Sequence, residues 1–274
     1  MESKEAEYLE QEKQLKEKMS KIKYPLIVMS GKGGVGKTTV AVNLAYALSL
    51  SGKSVGILDI DLHGPNIAKM LGVEDRTIFS CEFGIEPVLV SANLKAVSIA
   101  LSGHNPDQPI IWRGPAKAAV IRQFLSDVNW GELDYLVIDS PPGTGDEPLS
   151  ACQSISNASG IIIVTTPQDV AILDARKSVL FAQEIKIPVV GIIENMSGFI
   201  CPHCQGKTDI FKKGGGEKAA EGLEVPFLGR VPFQPEFVEF GDKGTPFVSF
   251  QEKSKAAEAF MGIVNKIKEF VGDK

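Results

Sequence analysis

From Gly31 to Thr38 the chain reads Gly-Lys-Gly-Gly-Val-Gly-Lys-Thr, which satisfies the pattern G-x-x-x-x-G-K-[ST]. Residues of these types at this spacing hold phosphate. Gly31, Gly33, Gly34 and Gly36 let the backbone N–H groups around Val35 turn inward onto anionic oxygens, and the helix start behind them adds positive potential. Lys37 reaches the terminal phosphates, and Thr38, with Thr39 behind it, offers a hydroxyl to Mg²⁺. ATP is the expected ligand, because a glycine turn made only for shape has no need of the Lys-Thr at its end.

Carboxylates follow at two places where such a site needs them. Ile57-Leu58-Asp59-Ile60-Asp61 ends an aliphatic run with acids one residue apart, so both leave the same face if the strand stays extended. Leu136-Val137-Ile138-Asp139 ends a second run and leads into Ser-Pro-Pro-Gly-Thr-Gly-Asp. Carboxylates at the carboxyl ends of buried parallel strands face the edge where ligands bind. Asp139 is expected to hold Mg²⁺ through its water shell. Asp59 has two readings, support of that shell or a cap on its strand. Gly143 would present its N–H to the γ-phosphate, making the 140–146 loop a switch. Asn195 has two readings as well: an amide suited to adenine, or one that satisfies turn backbone.

Cys201-Pro202-His203-Cys204 is a different kind of chemistry. Two thiolates at this spacing bite one metal or cluster edge, whereas a closed thiolate site wants four. One chain supplies two; a two-fold homodimer would supply four. A structural Zn²⁺ and a redox dithiol are the other readings, although no thioredoxin-like stretch leads into the pair. Cys81 and Cys152 have no near partner. His63 and His104 read as polar loop residues, and Arg113 as satisfying local carbonyls more readily than reaching phosphate.

The elements that must position these groups read as alternating strands and helices. Strands are expected over 26–30, 54–60, 96–101, 135–140, 160–165 and 189–193, aliphatic on both parities as doubly covered strands should be, with a last candidate over 227–231. Helices are expected over 38–50, 117–128, 147–157, 169–185 and 254–271. This order predicts an α/β fold with a doubly wound, mostly parallel sheet and helices on both faces. Residues 1–23, dense in Glu and Lys, predict a charged helix lying on the surface, ahead of one nucleotide domain over 24–274 with a cysteine-bearing insertion near 195–216. The glycine run 214–216 reads as a loop of no functional weight.

With 274 residues and 43% hydrophobic content the chain can bury one large core. Its net charge of −5 disfavours bulk attraction to nucleic acid or anionic lipid. No run is long enough to span a bilayer and no leader pattern is visible, so a cytoplasmic place is expected. Three histidines do not make the His-rich tract of a nickel or cobalt insertase.

Lys32, one residue into the phosphate motif, gives the chain a resemblance to the deviant P-loop ATPases, the group of MinD, the nitrogenase iron protein and the Mrp-type carriers. The resemblance implies that Lys32 crosses a homodimer interface to the partner's nucleotide, that Asp61 orients the attacking water, and that Asn195 reads adenine. The tract Trp112-Arg113-Gly114-Pro115, the Ser-Pro-Pro-Gly-Thr-Gly-Asp loop, Glu194-Asn195-Met196-Ser197 and the Cys-x-x-Cys pair resemble, in that order, the Mrp/ApbC or Nbp-type iron–sulfur cluster carriers from Tyr24 onward. That resemblance implies a slow ATPase whose two subunits bridge a [4Fe–4S] cluster through Cys201 and Cys204 and pass it to apo-proteins. A MinD/ParA-like positioning switch with zinc at the pair is the rival reading. Asn66 stands where many relatives carry Ser, and no MinD-like amphipathic anchor is visible over 255–274, so membrane cycling is not expected.

Overall fold

A computed structural model describes residues 12–81, 84–103, 114–155, 157–201, 203–204, 206–250 and 254–273. The elements run in chain order as α1 (12–20), β1 (Ile22–Met29), α2 (Lys37–Leu50), β2 (Val55–Asp59), α3 (Ile67–Met70), β3 (Phe79–Cys81), β4 (Gly84–Glu86), β5 (Val88–Ser91) and β6 (Leu94–Val97). They continue as α4 (Gly114–Asp127), β7 (Leu133–Asp139), α5 (Asp146–Ser154), β8 (Gly160–Thr165), α6 (Asp169–Glu184), β9 (Val189–Glu194), β10 (Phe199–Ile200), β11 (Lys207–Thr208), α7 (Gly215–Gly222), β12 (Phe227–Arg230), α8 (Glu236–Asp242), α9 (Phe247–Phe250) and α10 (Lys255–Val271).

Eight strands form one sheet in the order β12-β9-β8-β1-β7-β2-β6-β5, parallel everywhere except at β5, which pairs antiparallel to β6. The pattern of β1 explains why the sheet is covered twice. Leu26 and Val28 enter the core on one face with α2 and α10, while Ile27 and Met29 enter the core on the other with α4, α5 and α6. Because β1 lies between β7 and β8, the strand order reverses around it and opens a crevice at its carboxyl end. The phosphate motif begins two residues later, at Gly31.

α2 is buried on nearly every side, as its Val, Leu and Ala content requires, and so anchors the motif that opens it. α10 buries Ala256, Ala257, Phe260, Ile263, Val264 and Ile267 along one stripe, and Ser254 caps it by accepting from Ala257 N–H at 3.1 Å.

The structure departs from the sequence reading in three places. The expected strand over 96–101 is β6 followed by a 3₁₀ turn, Ile99–Leu101, because Ser98 Oγ accepts from Ala100 N–H and turns the chain. The N-terminal segment forms a helix over 12–20 that exposes most of its residues but is docked on one side, where Leu15 and Met19 are buried in the same core as α4 and α6. Residues 1–11 lie outside the described residues, as do His104, Trp112 and Arg113. Two hairpins, β3–β4 and β10–β11, were not foreseen. Among the described residues, no helix is long and apolar enough to cross a membrane.

Candidate functional site

β2 and β7 run side by side with Asp59 opposite Asp139 in register, and β7 also flanks β1. Two strand ends therefore bring carboxylates to the start of α2. Asp139 is fully buried and accepts from Lys37 Nζ at 2.6 Å and from Thr38 Oγ1 at 2.7 Å. Asp61 Oδ2 lies 3.8 Å from Lys37 Nζ. Burial pushes the Asp139 carboxyl up from its ordinary range, with Lys37 pulling the other way. Asp59 is pushed well up, first by burial and then by the charge of Asp139. A cation placed here would favour the ionised form of these buried acids, and the oxygen donors Thr38 Oγ1 and Asp139 fit a hard divalent ion such as Mg²⁺.

The strand alternation that would relate Asp59 to Asp61 is not sustained, because β2 ends at Asp59. The chain folds back there, so Asp59 Oδ1 accepts from Asp61 N–H at 3.1 Å, and Oδ2 accepts from Ile67 N–H at 3.3 Å and Ser98 Oγ at 3.1 Å. Of the two readings of Asp59, its partners favour the one in which it braces the 60–67 loop. His63, read as an idle loop residue, lies 2.5 Å from Lys117 Nζ, and Lys117 also bonds Glu147. The hydrogen bond from Lys117 holds Glu147 below the usual carboxylate range. This trio ties the loop after β2 to the start of α5.

The remaining phosphate-site residues border one cleft of about 260 Å³, lined by Gly33, Gly34, Gly36, Lys37, Thr38 and Asp61 among others. Lys32, on its rim, is half-buried and its side chain has no polar partner among the described residues. Gly31 sits against α6, where an added Cβ would fall 2.3 Å from the Asp174 backbone. Gly143 is engaged within the chain. Its N–H donates to Ser30 O at 2.7 Å, so it meets a γ-phosphate only by exchanging that bond.

A second cleft, about 370 Å³, shares Thr38, Thr39 and Asn66 with the first and extends it toward apolar walls at Met70, Met196, Phe233 and Phe237. Its shape suits a flat base beyond a phosphate tail. Asn195 borders it, but one amide hydrogen is used on Val35 O at 2.8 Å. The same amide rests against Gly36, whose φ is +80° and where a Cβ would fall 2.3 Å from Nδ2. Asn195 thus serves the turn-backbone reading and still lines the cleft. Gln234 was missed: it borders the cleft and its Oε1 is buried with no hydrogen-bond partner. The only sequence signal was its place just after β12 in a Pro-x-x-Pro turn. Asn66 Nδ2 bonds back to Gly64 O at 3.0 Å.

Cys201 and Cys204 border neither cleft. They sit on the β10–β11 hairpin, where Cys201 N–H donates to Gly206 O at 3.0 Å. Cys201 is half-buried and Cys204 exposed, both as free thiols. Backbone N–H groups of Cys204 and His203 point at the Cys201 sulfur and, with the Cys204 thiol, hold it below the ordinary thiol range. That turn stabilises thiolate, the form that ligates metal. Among the described residues no cluster of three or more His, Cys, Asp or Glu is placed to hold a metal ion.

Where a parallel sheet reverses its order behind a glycine loop, and lysine and threonine meet a strand-end aspartate, the molecule is a P-loop NTPase of the MinD/ParA fold. Solved structures agree. The nucleotide-binding protein of Archaeoglobus fulgidus, in complex with ADP and with cobalt found, is 38% identical and superposes with a TM-score of 0.76 over 86% of this chain and 92% of its own. The cell division ATPase MinD of Pyrococcus furiosus, 24% identical with a TM-score of 0.67 over 90% and 98%, shares the fold.

More particularly, the chain belongs to the NUBPL iron-transfer P-loop NTPase family, whose model matches residues 21–268. An iron-sulfur cluster carrier protein of Methanocaldococcus jannaschii is 54% identical over 97% of this chain and 91% of its own length. A cytosolic Fe-S cluster assembly factor NUBP2 homolog of Nematostella vectensis is 47% identical over 90% and 93%.

Proposed function

We propose that this protein is a cytosolic, ATP-hydrolysing carrier of iron–sulfur clusters that holds one [4Fe–4S] cluster between two identical subunits and delivers it to apo-proteins. The observation that carries this reading is the Cys201–Cys204 turn, whose backbone N–H groups favour thiolate on a chain that also has a complete phosphate site. Two sulfurs per chain fit a bridged four-thiolate cargo better than a closed site within one chain. Relatives at 54% and 47% identity named for the same cargo support it. The relation to MinD supports the fold and not a positioning role.

In the nucleotide half, the P-loop amides and Lys37 hold the phosphates, and Asp61 orients the attacking water. Lys32 reaches the nucleotide of the second subunit, and Asn195 and Gln234 face the adenine. Thr38 and Asp139 would hold Mg²⁺, which supplies charge neutralisation as the γ-phosphoryl leaves. Gly143 exchanges Ser30 for the γ-phosphate, so the 140–146 loop reports whether that phosphate is present.

Anaerobic reconstitution with iron and sulfide tests the proposal. One broad-absorbing cluster per two chains is expected, lost when Cys201 and Cys204 are both changed to Ser. Undiminished iron in that double variant, or a tetrahedral zinc that iron never displaces, would overturn it.

A further inference from the structure

β9 ends in Glu194, whose side chain is fully buried yet borders neither nucleotide cleft. Its oxygens are reached from both feet of the segment that carries the cysteines. On the entry side Ser197 Oγ donates to Oε1 at 2.5 Å. On the exit side Gly214 N–H donates to Oε1 at 2.9 Å and Gly216 N–H to Oε2 at 2.6 Å. Arg230 Nε comes within 3.4 Å of Oε1 from β12, close enough for charge attraction though not aligned as a hydrogen bond.

The glycine run at 214–216 exists for this carboxylate. Gly214 has φ +83°, a Cβ on Gly215 would meet Pro167 O at 2.6 Å, and one on Gly216 would meet Glu194 Cβ at 3.0 Å. Bare backbone is needed for the start of α7 to close around the acid, with its N–H groups converging as a nest. A buried acid with that many donors holds its neighbours in one arrangement, because any loosened partner leaves charge unpaired.

The next residue faces the other way. Asn195 lies on the phosphate loop through Val35 O and Gly36. Met196, between it and the hairpin foot at Ser197, has φ +54°, a strained geometry that persists only where its surroundings dictate it. Phe233 gives a second link: it borders the base cleft, meets Phe199 and Phe211 of the hairpin segment with ring centroids 5.9 and 6.1 Å apart, and its N–H donates to Gly198 O at 2.9 Å.

We propose that Glu194 is the positioning residue of the cysteine hairpin, fastening both its feet to a strand end whose next residue rests on the phosphate loop, so that the nucleotide state alters metal binding at Cys201 and Cys204. The inference rests on the carrier reading for its use of the thiols. It adds to that reading a route between two sites that share no residue.

Cobalt(II) is the probe, titrated anaerobically into the reduced full chain with ADP or with a non-hydrolysable ATP analogue, and followed by thiolate-to-cobalt absorption. In the unaltered protein the analogue should shift cobalt affinity by about fivefold or more relative to ADP. Glu194→Gln should weaken cobalt binding about tenfold or more and remove the nucleotide effect, while ADP affinity measured without metal stays unchanged. Ser197→Ala removes one tether and leaves the Gly214 and Gly216 donors on the carboxylate, so it should fold and lose part of both effects. If Glu194→Gln fails to fold, Ser197→Ala decides. Unaltered cobalt affinity and nucleotide dependence in the variants that fold overturn the inference, as does an unaltered protein whose cobalt affinity ignores the nucleotide. No cobalt signal from the thiols in any nucleotide state instead brings down the carrier reading, and this inference with it.

Discussion

Lys37 and Asp139 stand 2.6 Å apart, ammonium to carboxylate, with 6% of the lysine side chain exposed and none of the aspartate. They come from elements about a hundred residues apart in sequence, and Lys37 opposes the burial that pushes the Asp139 carboxyl up. When phosphates draw Lys37 away, Asp139 needs a replacement cation. Asp139→Asn therefore removes the place for Mg²⁺ more than it removes the nucleotide. Phosphate release should fall about 100-fold or more, and calorimetry should show a smaller loss of ADP affinity; unchanged turnover would refute the assignment.

Lys32 borders the phosphate cleft with no polar partner for its side chain among the described residues. In the proposed dimer its partner would lie in the second subunit. Lys32→Ala should leave ADP binding by the monomer within about threefold of normal and abolish ATP-dependent dimerisation in light scattering. Dimers that form as readily as before would show that the lysine is only solvated.

Gly36 combines a φ of +80° with the Asn195 amide pressed against its Cα. Gly36→Ala should cost about 1–3 kcal/mol of stability from backbone strain and collision together and should abolish nucleotide binding. Adding Asn195→Gly relieves the collision, at the loss of the amide's bond to Val35 O. Thermal melting of the double variant should therefore recover part of the loss, and full recovery would mean that backbone strain contributes nothing.

Far from that cleft, Asp273 is buried under Lys53 Nζ at 2.7 Å and Tyr135 Oη at 2.7 Å. Burial works against its charge, but the bonds from Lys53 and Tyr135 outweigh it and hold the carboxyl below the ordinary range. A folded value below the unfolded one means the contribution is complete above about pH 4 and is lost as pH falls through the lower folded value. Asp273→Asn should lower stability at neutral pH by about 2 kcal/mol, roughly 5 °C in melting temperature. The gap between variant and parent should close on acidification; a gap that widens there would contradict the sign.

The phosphate loop was legible because its motif carries its own context, an aliphatic strand before it and a helix after it. The parallel sheet was legible from strands such as 160–165, which are aliphatic on both faces. What escaped depended on contacts distant in sequence. Glu194 was noticed only as a neighbour of Asn195, since nothing local reveals that glycines twenty residues on enclose its carboxylate. Asp59 and Asp61 share a face only while their strand continues, and where β2 stops depends on the bond from Asp61 N–H to Asp59, which no alternation pattern shows. The two-residue strands β10 and β11 are too short to show a period, and Leu15 and Met19, four apart in a charged stretch, too few to mark a docked face.

The latch at Asp273 gathers Lys23 near the start of β1, Lys53 just before β2 and Tyr135 early in β7, so it lies where strands begin, whereas Asp59, Asp139 and Glu194 lie where strands end. Inherited damage should divide along the same line. A lesion at the beginnings thins the population of molecules, and cooler growth can restore it; a lesion at the endings also idles whatever molecules still fold, and cooling returns their number without their work.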